Sequence, residues 1–306
     1  MAKRVSSLGS TGVYGQPTIR SGIEMALHTQ HKRDKLVQIW EKVKADGPPY
    51  VFDNKLVKRI TGEDFGNQYD ITKIDTSKKL PQELRDDDVF IVHLGGNRAH
   101  DATRKLPTRH QFVSPISAGY HRLEDPEESE DWPYRRTILD NLDRGESGTT
   151  SLVFNQRIIH DFLFEDRAIS DLRIHIPGRT RRKDDNTFTY KVGTSEVSVE
   201  QLQIEMDFIV EKNGTIAVAE AKRVPGKKGK LPEDFAVGQI YLPFRKLLNM
   251  KSRLGGTFAI RCLFLVQYRR ADGKDGIRLF EYTFPQCEEM SSIVPVKNKE
   301  YVLLPR

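Results

Sequence analysis

The sequence predicts a mixed α/β (α+β) protein built in two parts, on three observations. Its 306 residues, 37% hydrophobic and 30% charged, suffice for two ordinary domains with cores of their own and are too apolar for a disordered chain. In the second half, helical apolar spacing alternates with β-like runs in the order helix, strand, strand, helix, strand, the pattern of one sheet with helices packed on it. Between the halves, "LDRGESGTTS" (142–151) carries the turn-former density of a boundary, which divides the chain into residues 1–145 and 146–306.

The first twenty residues, rich in Ser, Gly and Thr, read as a flexible arm. Ser21 and Glu24 form a capping-box pair, and apolar residues at Ile23, Leu27, Leu36, Ile39, Trp40 and Val43 then predict one helix or two short ones, stopped by "DGPPYVFDNK". A short helix over "NKLVKRITGEDFG", β segments in "DDDVFIVHLGG" and "RHQFVSPISAGYHRLE", and an acidic, solvated stretch "EDPEESEDWP" complete an N-terminal part of helices and strands. Past the boundary, "LVFNQRIIHDFLF" (152–164) suits a helix, and the polar, basic "HIPGRTRRKDDNT" follows. Two strands, a helix from about Asp234, a long apolar strand over 258–266, a turn at "RADGKDG" and a final strand pair close the chain.

A net charge of +6 puts polyanions first among possible partners. Cys262 and Cys287 are too few for a structural zinc site and read as buried, reduced thiols. No apolar run reaches the ~18 residues of a membrane span, and "MAKRVSSLGSTG" lacks the apolar core of a signal peptide, so no membrane association and a cytoplasmic location are expected. The eight histidines include no pair at helical metal-ligand spacing, and no glycine-rich loop precedes a lysine and a hydroxyl residue. Histidine-zinc hydrolysis and a nucleotide cofactor are therefore both disfavoured.

The stretch that carries chemistry is "QIEMDFIVEKNGTIAVAEAKR" (203–223). Asn213-Gly214 between two β-like runs predicts a two-residue hairpin. With these residues at the turn, Lys212 faces Thr215, Asp207 lies opposite Glu220, and Glu205 lies opposite Lys222. Alternation then sends Glu205, Asp207, Glu220 and Lys222 to one face, and Met206 and Phe208 to the other with Ala217, Ala219 and Ala221, whose small side chains leave room for a helix. Like charges directly opposed at about 5 Å repel. A hard divalent cation such as Mg²⁺ is the usual compensation where carboxylates converge, held by one or two of them together with phosphate and water. The adjacent ammonium suits orienting or deprotonating a water, or holding charge that develops on a phosphate.

An aspartate and, thirteen residues on, Glu-Ala-Lys, on consecutive antiparallel strands followed by a helix, resembles the PD-(D/E)xK nuclease superfamily. In size and layout the chain is similar to its type II restriction endonucleases. The resemblance covers about residues 150–285, and Met206 stands where the family often has proline. It implies a restriction-endonuclease-like core, a mixed sheet flanked by helices, in which Asp207 and Glu220 bind Mg²⁺. Water would attack phosphorus with Lys222 assisting, and the 3′ oxygen would leave. The implied substrate is double-stranded DNA, most simply cut by a two-fold homodimer with one site per strand. The resemblance also implies a third acid from an upstream helix, with Asp161 and Glu165 as candidates, and a polar residue on the following helix, with Gln239 as candidate. Glu205, opposite Lys222, and Gln239 would stand behind the three catalytic side chains. Two other acid-any-lysine runs, "DNK" (53–55) and "DGK" (272–274), lie in turn-like polar contexts.

The basic loop "RVPGKKGKLPEDF" follows Lys222 at once, with Lys227, Lys228 and Lys230 able to contact phosphates beside the scissile bond. Arg179, Arg181 and Arg182 in "GRTRRKDD" suit clamping a backbone or reading guanine; both runs also have the composition of a solvated loop. The upstream half is then expected to recognise DNA, with Arg98, Arg104 and Arg109 available to face it. Two other readings remain open: a nuclease-fold DNA-binding protein without activity, and a structure-specific repair or recombination nuclease. The intact Asp207, Glu220 and Lys222 set weighs against the first.

Overall fold

The computed structural model describes residues 19–62, 68–96, 108–138, 145–175, 186–224, 230–254 and 256–305. The predicted N-terminal arm lies outside them up to residue 18. One long helix, α1 (Ile19–Asp46), opens the chain two residues ahead of Ser21, so the Ser21 and Glu24 pair sits within the helix and not at its start. It buries Leu36, Ile39, Trp40 and Val43 at helical spacing and gives way to Gly47, whose φ of +82 no helix can hold. Next come β1 (Val51–Asp53), α2 (Asn54–Thr61), α3 (Gln82–Asp86), β2 (Phe90–Gly95), β3 (Arg109–Val113), β4 (Tyr120–Arg122) and β5 (Glu128–Tyr134). Strands β1, β3 and β2 form a three-stranded sheet in that order.

The second half runs α4 (Glu146–Asn155), α5 (Ile158–Phe164), β6 (Arg173–His175), β7 (Phe188–Val192), β8 (Ser195–Val199), β9 (Phe208–Lys212), β10 (Thr215–Arg223), β11 (Asp234–Ala236), α6 (Gly238–Leu254), β12 (Ala259–Arg269), β13 (Asp275–Thr283) and β14 (Val294–Pro305). The expected single helix over 152–164 is two, because Arg157 adopts a left-handed conformation (φ 63) between α4 and α5. The helix expected from about Asp234 starts at Gly238, since residues 234–236 pair with β4.

A seven-stranded sheet ordered β5-β14-β13-β12-β10-β9-β6 forms the centre. β10 with β12 and β14 with β5 run parallel, and the other neighbours antiparallel, giving the mixed α/β architecture that the element order predicts. Alternation along β10 divides two cores. Ala217, Ala219 and Ala221 pack with Leu152, Val153, Ile159 and Phe162 of α4 and α5, while Val218 packs with Ile240 and Tyr241 of α6. Each large apolar side chain buried this way contributes about 1.5–3 kcal/mol over its exposed state.

The α6-side core continues into the first half, where Trp40, Phe52, Leu80 and Phe112 join Tyr190, Val197 and Ile240 in one cluster. The segment expected to be a solvated acidic stretch is instead β5, an edge strand of the central sheet anchored by Trp132, which is 3% exposed. Glu128 and Asp131 are exposed, Glu130 is half-buried and pairs with Arg167 and Lys299, and Pro133 is tolerated at a sheet edge. The sheet and the core thus draw on both sides of residue 145. Cys262 is buried and Cys287 half-buried, both as free thiols. No helix among the described residues is long and apolar enough to cross a membrane.

Candidate active site

The hairpin turns at Asn213 and Gly214, whose φ values of 47 and 72 are what a two-residue turn of this kind needs. Its ladder runs from Thr215 opposite Lys212 to Ala219 opposite Phe208, the register that the Asn-Gly pair predicts. Just beyond it, the Asp207 N–H donates to the Ala219 carbonyl at 3.3 Å, and Asp207 Oδ2 accepts from the Ala221 N–H at 2.6 Å. These bonds hold the Asp207 carboxylate against the strand end that carries Glu220 and Lys222.

Glu220 Oε1 accepts from Lys222 Nζ at 2.7 Å and from Gln239 Nε2, in the first turn of α6, at 3.1 Å. Lys222 Nζ also donates to Glu146 Oε1 at 3.0 Å. Glu146 opens α4, so the upstream-helix acid beside the site is Glu146. Asp161 belongs elsewhere: it accepts from Arg167 at 2.9 Å, from Lys299 at 3.0 Å and from the Tyr301 hydroxyl at 2.8 Å, in a buried cluster of its own. Glu165 is the left-handed C-cap of α5. Glu205 accepts from Gln203 and does not pair across from Lys222, because the ladder ends at Phe208. Met206 leaves the face of Phe208 for the same reason and joins the α6-side core.

Of the basic candidates, Lys230 is 85% exposed and pairs with Glu233, and Arg109 lies 3.7 Å from Glu200. Arg98, Arg104, Arg179, Arg181, Arg182, Lys227 and Lys228 lie outside the described residues. The two competing acid-any-lysine runs have local duties. Asp53 caps α2, accepting from the Lys55 and Leu56 N–H groups, and Asp272 accepts from the Lys274 N–H within its turn.

Burial pushes the Glu220 carboxyl up to about 7, with Lys222 pulling the other way and Asp207 adding to the rise. Burial raises Asp207 as well, against the Ala221 hydrogen bond. Burial disfavours the Lys222 charge, but Glu220 and Glu146 outweigh it and hold the ammonium protonated. The site therefore carries a surplus of buried carboxylate beyond what one lysine offsets. A second deficit points the same way: Gln239 Oε1 is buried without a hydrogen-bond partner. Two carboxylates and an unpaired amide oxygen form an all-oxygen donor set, which fits a hard cation such as Mg²⁺. No three His, Cys, Asp or Glu side chains converge as a complete cage among the described residues, and Mg²⁺ commonly takes one or two carboxylates with the remainder water and phosphate.

The cluster opens into a cleft of about 850 Å³ between the central sheet and the three-stranded sheet, which contributes His93 and His110, with Asn54 of α2 beside them. Its described lining holds five acids (Asp75, Glu146, Glu205, Asp207, Glu220) against two lysines (Lys73, Lys222). In a chain of net charge +6, this cleft is locally acidic.

His110 lies 3.1 Å from His93 Nδ1 to Nδ1 and 2.7 Å from Asn54 Oδ1, and burial lowers both histidines, His93 to about 4. Below pH 6.5 the unfolded chain takes up a proton at His93 that the folded protein refuses until about pH 4, so stability falls across that window. Denaturation midpoints at pH 7 and pH 4.5 should drop more for the wild type than for His93→Gln.

Glu146 was missed because its run of Gly and Ser reads as a boundary; the usable sign was an acid directly after a glycine N-cap, ahead of Leu152 and Val153. Glu146→Gln should lower activity about 10- to 100-fold, as expected for a residue that orients another's charged group, with an unchanged melting temperature.

A family model described as "Domain of unknown function (DUF6997)" matches residues 117–302, and a second, "Domain of unknown function (DUF6996)", matches residues 34–98. No curated protein and no solved structure matches the chain.

Proposed function

The chain belongs to the family described as "Domain of unknown function (DUF6997)", and we propose that it is a Mg²⁺-dependent, sequence-specific endonuclease of double-stranded DNA, of the type II restriction class. One observation carries this reading: Asp207, Glu220 and Lys222 meet at the end of β10 with the unpaired Gln239 oxygen beside them, in a cleft that needs a cation to admit a phosphodiester.

Asp207 and Glu220 hold the ion, and Gln239 fixes the Glu220 rotamer through its Nε2 hydrogen bond. When bound, the ion stabilises charge on the phosphoryl oxygens and acidifies the attacking water. Lys222, held between Glu220 and Glu146, donates a hydrogen bond and positive charge to the attacked phosphate. Attack of the water oxygen on phosphorus breaks the bond to the 3′ oxygen; the nucleophile's proton passes to bulk water and a solvent proton is taken up by the 3′ oxygen, leaving a 3′-hydroxyl and a 5′-phosphate. By charge alone, Lys227, Lys228 and Lys230 and the arginines at 179, 181 and 182 are the residues proposed to contact the backbone. A two-fold dimer places one site on each strand of a symmetric target. Free thiols at Cys262 and Cys287 suit a reducing cytoplasm.

Digestion of a defined linear DNA tests the reading. Discrete fragments whose ends share one short sequence support it. A smear, or cutting confined to branched DNA, replaces it with a nonspecific or repair nuclease.

A further inference from the structure

Between β8 and β9 the chain crosses the cleft as a polar-edged strap, residues 200–207. Leu202, Ile204 and Met206 are 5%, 6% and 8% exposed and belong to the α6-side core, with Leu202 and Ile204 also touching the cleft wall, while the more exposed Gln201, Gln203, Glu205 and Asp207 line the cleft. The period of two is that of an extended chain with one face buried. Both ends are fixed. The Glu200 N–H donates to the Leu94 carbonyl at 2.9 Å, and Leu202 exchanges bonds with Asn186, N–H to carbonyl at 3.1 Å and carbonyl from Nδ2 at 2.6 Å. Gly95, against which the strap lies, has φ +77, and a Cβ there would meet the Glu200 oxygen at 2.3 Å. The far end is Asp207 itself.

Side chains that neutralise a DNA backbone are Arg and Lys, and neutral donors such as Gln also contact it, whereas the cleft side of this strap offers two amides beside a carboxylate that repels phosphate. Those groups match base edges: an amide pairs bidentately with adenine N6 and N7, and a carboxylate accepts from cytosine N4. At about 3.3 Å per extended residue, Gln203 stands about 13 Å from Asp207, roughly four nucleotides along a strand spaced 3.4 Å per phosphate. Its amide is oriented by the hydrogen bond from Gln203 Nε2 to Glu205.

We propose that the strap reads base edges, with Gln203 as a specificity-determining residue and Glu205 as the residue that positions its amide. The proposal rests on the endonuclease reading, and it places part of the sequence readout on the chain that delivers Asp207, in addition to the N-terminal half.

The test is cleavage of a duplex library with randomised positions by wild type, Gln203→Ala and Lys222→Ala, with the cut ends sequenced. Gln203→Ala should relax preference at one base-pair position by about 5- to 150-fold, the worth of one bidentate base contact. Lys222→Ala should slow all sequences alike and leave the preference intact. An unchanged preference in Gln203→Ala, or a uniform loss of rate, overturns the proposal and makes the strap a wall that merely holds Asp207. If the wild type cleaves nothing, the endonuclease reading fails on its own, and selection of bound duplexes from the same library decides the strap. No positional preference, or one that Gln203→Ala leaves unchanged, then overturns it.

Discussion

Asp207→Ala is expected to lower Mg²⁺-dependent DNA cleavage by about 10³-fold or more while the protein stays folded and still binds DNA. The magnitude follows from several kcal/mol of transition-state charge stabilisation that a misplaced ion no longer supplies. Stability should hold or rise, because burial already disfavours the ionised forms of Asp207 and Glu220, and removing one carboxylate relieves the other. The Ala221 N–H loses its acceptor, a smaller opposing effect. Cleavage rate and thermal melting, measured on one preparation, separate the two effects. Unimpaired cleavage by the variant would remove Asp207 from the site.

Asp161→Ala is expected to do the reverse: destabilise the protein by about 3 kcal/mol and leave the turnover of folded molecules unchanged. Asp161 is 11% exposed at its side chain and Lys299 19%, so removing the acid leaves a nearly buried ammonium with Glu130 and Glu128 alone and takes the acceptor from the Tyr301 hydroxyl. The lower end of the range for breaking a buried pair applies because Lys299 keeps Glu130 at 2.8 Å and Arg167, 48% exposed, keeps it as well. A lowered denaturant midpoint with normal activity in the absence of denaturant is the expected pairing. Loss of activity with full stability would return Asp161 to the catalytic set and question Glu146.

The parts of the site legible in the sequence were those fixed by local rules. Asn213 and Gly214 set the hairpin register, and period-two alternation then brought Asp207 to the end of β10 beside Glu220 and Lys222. Gln239 came instead from the resemblance, which implies a polar residue on the helix after the strand, and it stands in the first turn of α6. What failed depended on contacts distant in sequence. Glu205 does not continue the hairpin because its segment answers to Gly95 and Leu94 of the first sheet, a tertiary contact that overrides local pairing. β5 joins β14 across 171 residues between Ser129 and Glu300, and its acidic composition hides an edge strand with only Trp132 and Tyr134 turned inward. Glu146 was disguised by glycines that start a helix here and that elsewhere end one.

Incubation of supercoiled plasmid with the purified protein in Mg²⁺ and in EDTA tests the central claim most directly. Linear products with 5′-phosphate ends are expected in Mg²⁺ and intact plasmid in EDTA. Intact plasmid under both conditions, from protein shown to be folded and across several plasmid sequences, would contradict it.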